Sequence, residues 1–270
     1  MERKVLLSIA FFLFAIILQG QDTIYFNSKG KVNSFEQATY YEVLQHAPKG
    51  KDKATKTAYF KSGKLKAKYY YLSYSERKLD GAQKEWYENG QLRQYEKYKK
   101  GLSNGKTKKW YEDGRLNQKV DYKKGNLDGR ILTYWENGQT KRIDKYKKGK
   151  LITGKCFSMN GEEIAHFDYK ILPEFPGGLE KLQQYLLQEL KYPEYSQKNK
   201  IEGNVIIVFA IDTDGSISDI EIRQSANEEM DNEAIRVVKN MPKWIPGKED
   251  GEIIKFYFSL PLQFRLHSKI

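Results

Sequence analysis

The first half of the chain takes its fold from the stretch EWYENGQLRQYEKYKKG, residues Glu85–Gly101, which returns as KWYEDGRLNQKVDYKKG at Lys109–Gly125. A third copy, YWENGQTKRIDKYKKG, spans Tyr134–Gly149. Two sets of glycines keep a period of 24 residues: Gly90, Gly114 and Gly138, then Gly101, Gly125 and Gly149. A fixed period of this size predicts a repeat architecture, in which each unit packs on its neighbours.

Each repeat contains the signals of a β-hairpin. Asn89-Gly90, Asp113-Gly114 and Asn137-Gly138 are dipeptides typical of type I′ turns, and aromatic pairs such as Trp86-Tyr87 precede them. One unit is therefore predicted to hold two antiparallel strands and two turns. Weaker copies at 25–30, 59–63 and 157–161 are expected to begin and close the array, as atypical terminal repeats do.

The repeated pattern W-Y-E-N-G-Q-L followed by Y-K-K-G resembles the MORN-repeat variants over roughly residues 55–163. The resemblance implies an array of hairpins and no particular reaction. Lysine pairs at 99–100, 123–124 and 147–148 would form a basic ridge, which has two interpretations. The ridge either contacts anionic lipid or protects an exposed sheet edge from pairing, and we favour edge protection.

After His166 the composition changes, and an α+β pattern replaces the repeats. Pro173, Pro176 and Gly177-Gly178 break the chain, and a helix with Leu179, Leu182, Leu186 and Leu190 on one face follows until Tyr192-Pro193. The apolar run at 203–211 predicts a buried strand. Asp212-Thr213-Asp214-Gly215 has the beginning of a calcium loop but lacks the later ligands, so we expect a hairpin turn into a return strand with Ile217, Ile220 and Ile222.

The last elements are a capped helix and an edge strand. Asn227 suits the helix N-cap, Pro242 ends the helix, and the apolar stripe is Met230, Ala234, Val237, Val238 and Met241. Residues 253–264 alternate apolar and polar side chains, and Pro261 restricts this strand to a sheet edge. The predicted fold class is thus α+β: an all-β array of antiparallel hairpins, then a small domain with two helices on an antiparallel sheet.

Residues 176–264 resemble the C-terminal domain of the TonB family. The matching motifs, in order, are Tyr192-Pro193, IEGNV at 201–205, Asp214-Gly215, MPKWIPG at 241–247 and PLQF at 261–264. The resemblance implies a periplasmic domain that binds a short peptide, the TonB box, of outer-membrane transporters. It also implies coupling to proton-driven motor proteins of the inner membrane.

Carried onto this chain, the resemblance makes the edge strand Lys255, Phe256, Tyr257, Phe258 and Ser259 the peptide-binding residues. Glu189, Leu190, Lys191 and Tyr192 would flank the peptide, although the Gln-Pro of well-known members is missing here. Trp244 and Pro246 are expected to pack the fold. In the apolar leading segment Ser8 is present, Phe12 follows four residues on, and no histidine occurs, which departs from the motor-facing pattern of the family.

Charge and hydropathy define the boundaries. The first 170 residues hold 35 basic and 19 acidic side chains, a net +16, and the last 100 hold 12 and 16, a net −4. Residues 5–18 carry no charge, so residues 1–20 are expected to be a signal peptide or a short inner-membrane anchor. The predicted order continues with a degenerate repeat segment at 21–54, repeats at 55–166, a linker at 167–177 and the C-terminal domain at 178–266.

Function is therefore expected to be binding at the cell envelope, with an outer-membrane receptor peptide or another envelope protein as partner. The alternative is a basic repeat scaffold for anionic lipid or an antitoxin-like partner, with the C-terminal domain forming a homodimer. Catalysis is not expected, because His46, His166 and His267 lie in no catalytic or metal motif and Cys156 is the single cysteine. No cofactor, metal or nucleic acid is expected.

Overall fold

The computed structural model describes residues 22–27, 30–47 and 52–266. The chain divides into two compact units, Met1–His166 and Phe167–Ile270, and each is described by itself. Within the described ranges no helix is long and apolar enough to cross a bilayer. The predicted signal or anchor segment at residues 1–20 lies outside these ranges.

The first unit is one antiparallel sheet of hairpins built from the repeats. Strands follow one another across the sheet in the order β15-β14-β13-β12-β11-β10-β8-β7-β5-β4-β3-β1-β2, with β6 on β5 and β9 on β8. Their bounds are β1 (Asp22–Asn27), β2 (Gly30–Val32), β3 (Tyr40–His46), β4 (Ala54–Phe60), β5 (Leu65–Ser73), β6 (Lys78–Leu79), β7 (Gly81–Trp86), β8 (Leu92–Lys99), β9 (Leu102–Ser103), β10 (Gly105–Trp110), β11 (Leu116–Lys123), β12 (Asn126–Tyr134), β13 (Thr140–Lys147), β14 (Lys150–Phe157) and β15 (Glu163–Ile164).

The turn types differ from the sequence prediction. Gly90 has φ +92° and its N–H donates to the Tyr87 carbonyl at 2.9 Å, whereas Asn89 does not have a positive φ. This arrangement is a type I turn followed by a left-handed glycine, so the prediction of type I′ at Asn-Gly was wrong. The type I′ turn lies instead at Lys100-Gly101, where both residues have positive φ, +52° and +83°.

The asparagines of these turns connect neighbouring repeats instead. The Asn89 side-chain amide donates to the Glu112 carbonyl at 2.9 Å, and the Asn137 amide donates to the Met159 carbonyl at 2.9 Å. The Tyr87 hydroxyl likewise donates to the Trp110 carbonyl at 2.9 Å. Each repeat thus donates side-chain hydrogen bonds to backbone carbonyl groups of the next repeat, and these bonds fix the spacing of the array.

The degenerate copies take the same turn. Gly63 and Gly161 have φ +82° and +86°, and their N–H groups donate to the carbonyls of Phe60 and Ser158. The expectation that 59–63 and 157–161 continue the array is confirmed. The copy at 25–30 includes residues outside the described ranges.

The lysine pairs do not protect an edge. Lys99 ends β8, Lys100 begins the turn, and the equivalent pairs sit in turns between paired strands. Because these residues lie at strand ends inside the sheet, the edge-protection interpretation was wrong.

The second unit packs helices on a three-stranded antiparallel sheet. Its elements are β16 (Lys170–Ile171), α1 (Gly178–Glu189), α2 (Glu194–Lys198), β17 (Gly203–Ile211), β18 (Ile217–Gln224), α3 (Glu228–Lys239), β19 (Lys248–Glu249), β20 (Glu252–Ile253) and β21 (Phe256–Phe264). The main sheet has the order β18-β17-β21, and β16, β19 and β20 form a second small sheet.

Helix α3 follows the sequence prediction closely. The Asn227 side chain accepts the Met230 N–H at 2.9 Å, and the five stripe residues are all buried. The apolar stripe of α1 is only partly buried: Leu182 is buried and Leu186 and Leu190 pack on the core, but Leu179 is 68% exposed. Leu179 lies in the first turn of α1.

Candidate functional site

The central feature of the second unit is an unpaired strand edge. Strand β17 lies in the middle of the sheet, and all nine residues of β21 pair with it, from Phe256 opposite Ile211 to Phe264 opposite Gly203. Within residues 22–27, 30–47 and 52–266, the other side of β21 has no partner strand. The prediction that Pro261 lies in an edge strand is confirmed.

The opposite edge, β18, is also unpaired among the described strands but carries features that hinder pairing. Its register with β17 shifts twice, and Asp219 has φ +49°. Asp219, Glu221 and Arg223 place charges along it. Bulges and charges of this kind are how natural sheets protect an edge. In contrast, β21 has the sequence FYFSLPLQF, with no charged residue.

The backbone groups that face the free side of β21 follow from Pro261. Proline has no N–H, so it fits where the strand directs its N–H away from the neighbouring strand. Every second residue of an antiparallel strand has the same orientation. We therefore expect Tyr257, Ser259 and Gln263 to direct their N–H and C=O groups toward the free side.

The side chains of β21 divide between the core and the open face. Phe256, Leu260, Leu262 and Phe264 are buried. Phe258 packs 5.2 Å from Trp244, ring centroid to ring centroid. The alternate residues are exposed, and Tyr257 is 65% exposed. One row of side chains thus holds the strand against the core, and the alternate row is exposed.

Trp244 has the packing role expected from the sequence. It is 4% exposed and contacts Phe175, Phe209 and Phe258 at ring-centroid distances of 5.5, 5.9 and 5.2 Å. The backbone N–H of Trp244 donates to the Gly215 carbonyl at 2.9 Å. This bond ties the MPKWIPG segment to the hairpin turn between β17 and β18.

Lys255 precedes β21, which corrects the predicted strand of 253–264. Its Nζ lies 2.9 Å from Asp219 Oδ2 and 3.0 Å from Asp212 Oδ1, and the Tyr257 hydroxyl donates to Asp219 Oδ2 at 2.9 Å. Burial alone would lower the pKa of Lys255, but the bonds to these carboxylates outweigh it and raise the pKa above its usual range. The hydrogen bond from Lys255 is also the main reason that the pKa of Asp219 is lowered.

Lys255 and Tyr257 therefore use their side chains to fix the start of β21 against the neighbouring hairpin. Of the five predicted edge residues, Tyr257 and Ser259 are the two expected to direct their backbone groups toward the free side, and Phe256 and Phe258 pack inward. Gln263 has the same expected orientation and was missed, although the alternation around Pro261 indicates it.

The predicted flanking stretch lies at the other end of β21. The Tyr192 ring is 5.8 Å from the Phe264 ring, and its hydroxyl donates to the Ile201 carbonyl at 2.6 Å. The Lys191 N–H donates to Glu233 Oε1 at 2.7 Å, and Arg236 donates to the Glu189 carbonyl at 2.5 Å. The Leu190 N–H donates to the Leu186 carbonyl and ends α1.

These contacts separate the two predicted parts of the site. The seven residue-to-residue steps of extended strand from Tyr257 to Phe264 span about 23 Å. Residues 255–259 and 189–192 are thus at opposite ends of one edge. A ligand that touched both would have to run along the whole of β21.

Among the described residues, no three His, Cys, Asp or Glu side chains are grouped in a way that could hold a metal ion.

Comparison with known proteins finds a family model that matches part of the repeat array and another that matches most of the second unit. Residues 188–266 match the family model described as Gram-negative bacterial TonB protein C-terminal, and residues 79–100, 103–124 and 127–148 match the family model described as MORN repeat variant. The chain therefore carries MORN-variant repeats followed by a TonB C-terminal domain, as the sequence motifs predicted.

One relative is Protein TonB of Helicobacter pylori (strain ATCC 700392 / 26695), 27% identical over 89 residues. That match covers 33% of this chain and 30% of the relative, so the chain matches less than a third of the relative's length. The solution structure of the Helicobacter pylori TonB C-terminal domain is similar at 23% identity over 33% of this chain and 81% of that domain, with a TM-score of 0.27, which is too low to support the fold.

Proposed function

We propose that this chain is an exported cell-envelope protein that binds an extended segment of a partner by adding it as a fourth strand beside β21. The observation that carries the proposal is the uncharged edge of β21, unpaired among the described strands, whereas the opposite edge of the sheet, β18, is protected by charge and bulges. An unprotected edge offers main-chain donors and acceptors to another chain.

The partner that fits the TonB C-terminal match is a peptide of an outer-membrane transporter or another envelope protein. The repeat array then acts as the part that displays this domain. Coupling to a proton-driven motor would make the chain an energy transducer, and residues 5–18 would have to remain as an inner-membrane anchor. The proposal concerns binding and assigns the chain no catalytic step.

Residues at both ends of the edge have separate roles in this proposal. Tyr257, Ser259 and Gln263 supply backbone groups, and Tyr192 borders the end at Phe264. Residues 189–191 act indirectly, because their backbone groups already bond within the chain.

The test uses the full-length chain and synthetic peptides from the N-terminal segments of outer-membrane transporters. Ser259→Pro removes one outward N–H without touching the ladder to β17, whereas Ser259→Ala changes only the side chain. Loss of one such hydrogen bond costs about 1 kcal/mol, and the displaced peptide loses further contacts, so the proline variant should bind about tenfold more weakly. The alanine variant should bind as the parent does.

Backbone amide signals give the direct readout. Peptide binding should shift the signals of Tyr257, Ser259 and Gln263 and slow their hydrogen exchange. Equal affinity of the proline and alanine variants, or shifts confined to other elements, would contradict strand addition. Strand addition would also be contradicted if β21 is already paired with a second copy of the chain in solution, and sedimentation would reveal such a dimer.

A further inference from the structure

A row of lysines crosses the repeat array on one of its faces. On neighbouring strands, Lys68 lies opposite Lys84, Lys84 opposite Tyr95, Tyr95 opposite Lys108, and Lys108 opposite Lys119. Residues directly opposite each other lie on one face of a sheet. Five neighbouring strands therefore present four lysines and one tyrosine in a single line, about 19 Å long at the usual strand spacing.

Strands β8 and β10, at the centre of this row, pair at only two positions, Lys108 with Tyr95 and Lys109 with Gln94. A groove of about 500 Å³ is lined by residues of these two strands and of β7. Its polar and aromatic lining is Lys84, Lys97, Lys106, Lys108, Tyr95 and Trp110, and no acidic residue lines it.

The groove lysines lack the partners that other lysines of the array have. Lys56 pairs with Glu42 at 3.1 Å and Lys155 pairs with Glu163 at 2.7 Å. Across the described part of the array, no carboxylate is paired with any of the four groove lysines. Two of these lysines lie directly opposite another lysine of the row, Lys84 opposite Lys68 and Lys108 opposite Lys119, and like charges in such positions destabilise a sheet. The arrangement is unfavourable for the isolated protein and favourable for one that holds an anion there.

The two aromatic rings narrow the class of ligand. Tyr95 lies between Lys84 and Lys108, and Trp110 is two residues beyond Lys108 on the same strand. Both residues are partly buried and line the groove. Rings in a groove suit a narrow chain that can enter it, whereas a bilayer offers a flat surface.

The type of basic residue in the groove further restricts the class of ligand. All four cations of the groove are lysines. Arginine is the preferred residue for nucleic acids, since its planar guanidinium binds phosphate with two hydrogen bonds and stacks on bases. Lysine provides isolated, strongly hydrated charges, which match separate acidic groups along a sugar chain.

We propose that the groove of Lys84, Tyr95, Lys97, Lys106, Lys108 and Trp110 binds a linear anionic glycan. Its acidic groups lie on the lysine ammonium groups, and its sugar faces pack on the two rings. This site is on the repeat array and is independent of strand addition at β21.

The experiment measures binding of a sulfated heparin octasaccharide to the full-length chain at low and high salt. Lys84→Gln with Lys108→Gln removes two central charges, and Lys148→Gln with Lys150→Gln makes the same change of net charge in a distant turn of the array. The groove variant should bind about tenfold more weakly, and the turn variant should bind as the parent does. Binding should weaken as salt rises.

Thermal unfolding separates a binding role from a structural one. The groove variant should melt at the same or a higher temperature, because like-charge repulsion is removed, while its affinity falls. The inference is overturned if the octasaccharide does not bind at low salt, or if both variants lose affinity equally. It is equally overturned if an oligothymidine of matched charge or vesicles rich in anionic lipid bind more tightly than the octasaccharide.

Discussion

Replacing Gly215 with alanine should destabilise the second unit far more than the same change at an otherwise similar glycine. Gly215 ends the Asp212–Gly215 turn with φ +82°, and a Cβ added there would lie 2.1 Å from the Trp244 carbonyl oxygen. Gly138 has φ +85° in a repeat turn, and a Cβ there meets no atom within 4 Å. The two positions share a backbone conformation and differ in surroundings.

The expected magnitudes follow from that difference. A left-handed conformation costs an alanine roughly 1–2 kcal/mol, and this is the whole cost at Gly138. At Gly215 the overlap also forces the Trp244 segment to move, which breaks a 2.9 Å hydrogen bond worth about 1 kcal/mol and disturbs the packing of a buried tryptophan by roughly 1–3 kcal/mol. We therefore expect a total cost of roughly 3–6 kcal/mol at Gly215.

Fluorine NMR of the full-length chain labelled with 5-fluorotryptophan can measure both effects during urea unfolding. Trp86, Trp110 and Trp135 report on the repeat array, and Trp244 reports on the second unit. The free energy of unfolding is read for each unit from its own signals.

Asparagine variants provide the matched control, because asparagine tolerates positive φ but still has a Cβ. Gly138→Asn should be close to neutral, and Gly215→Asn should remain strongly destabilising. If Gly215→Ala and Gly138→Ala cost the same within about 0.5 kcal/mol, the contact with Trp244 does not constrain the turn and the reasoning is refuted.

Two further predictions concern ion pairs. Asp144→Asn should destabilise the repeat array by roughly 3–5 kcal/mol in urea unfolding, because Arg142 bonds to Asp144 at 2.7 Å with both side chains fully buried, and removing one member of a buried ion pair is strongly destabilising; a loss below about 1 kcal/mol would contradict this. Lys255→Met should raise the pKa of Asp219 toward its ordinary value, as carboxyl NMR titration would measure. Because the pKa of Asp219 is lowered in the folded state, the stability from this pair is present above the ordinary carboxyl pKa of about 4 and is lost as pH falls through the lowered folded-state value. The stability difference between parent and variant should therefore shrink from pH 7 to pH 3, and an unchanged difference would exclude the pair as its cause.

Local patterns in the sequence determined most of the elements. The 24-residue period predicted the hairpin array, the D-x-D-G segment predicted a turn, and Asn227 and Pro242 bounded the second long helix. Pro261 predicted an edge strand for the same kind of reason, since a missing N–H restricts a residue wherever it occurs. These signals are reliable because each depends on backbone geometry within a few residues.

The arrangement of the candidate sites was decided by tertiary structure. Sequence could not reveal that residues 189–192 and 255–259 lie at opposite ends of β21, or that β18 is protected by a left-handed Asp219. The lysines of the groove are spread over residues 84–108 and look like a solvated surface in the sequence. Only the cross-strand register places them on one face of the neighbouring strands β7, β8 and β10, because pairing between strands depends on packing across the whole sheet and not on the local preferences of each strand.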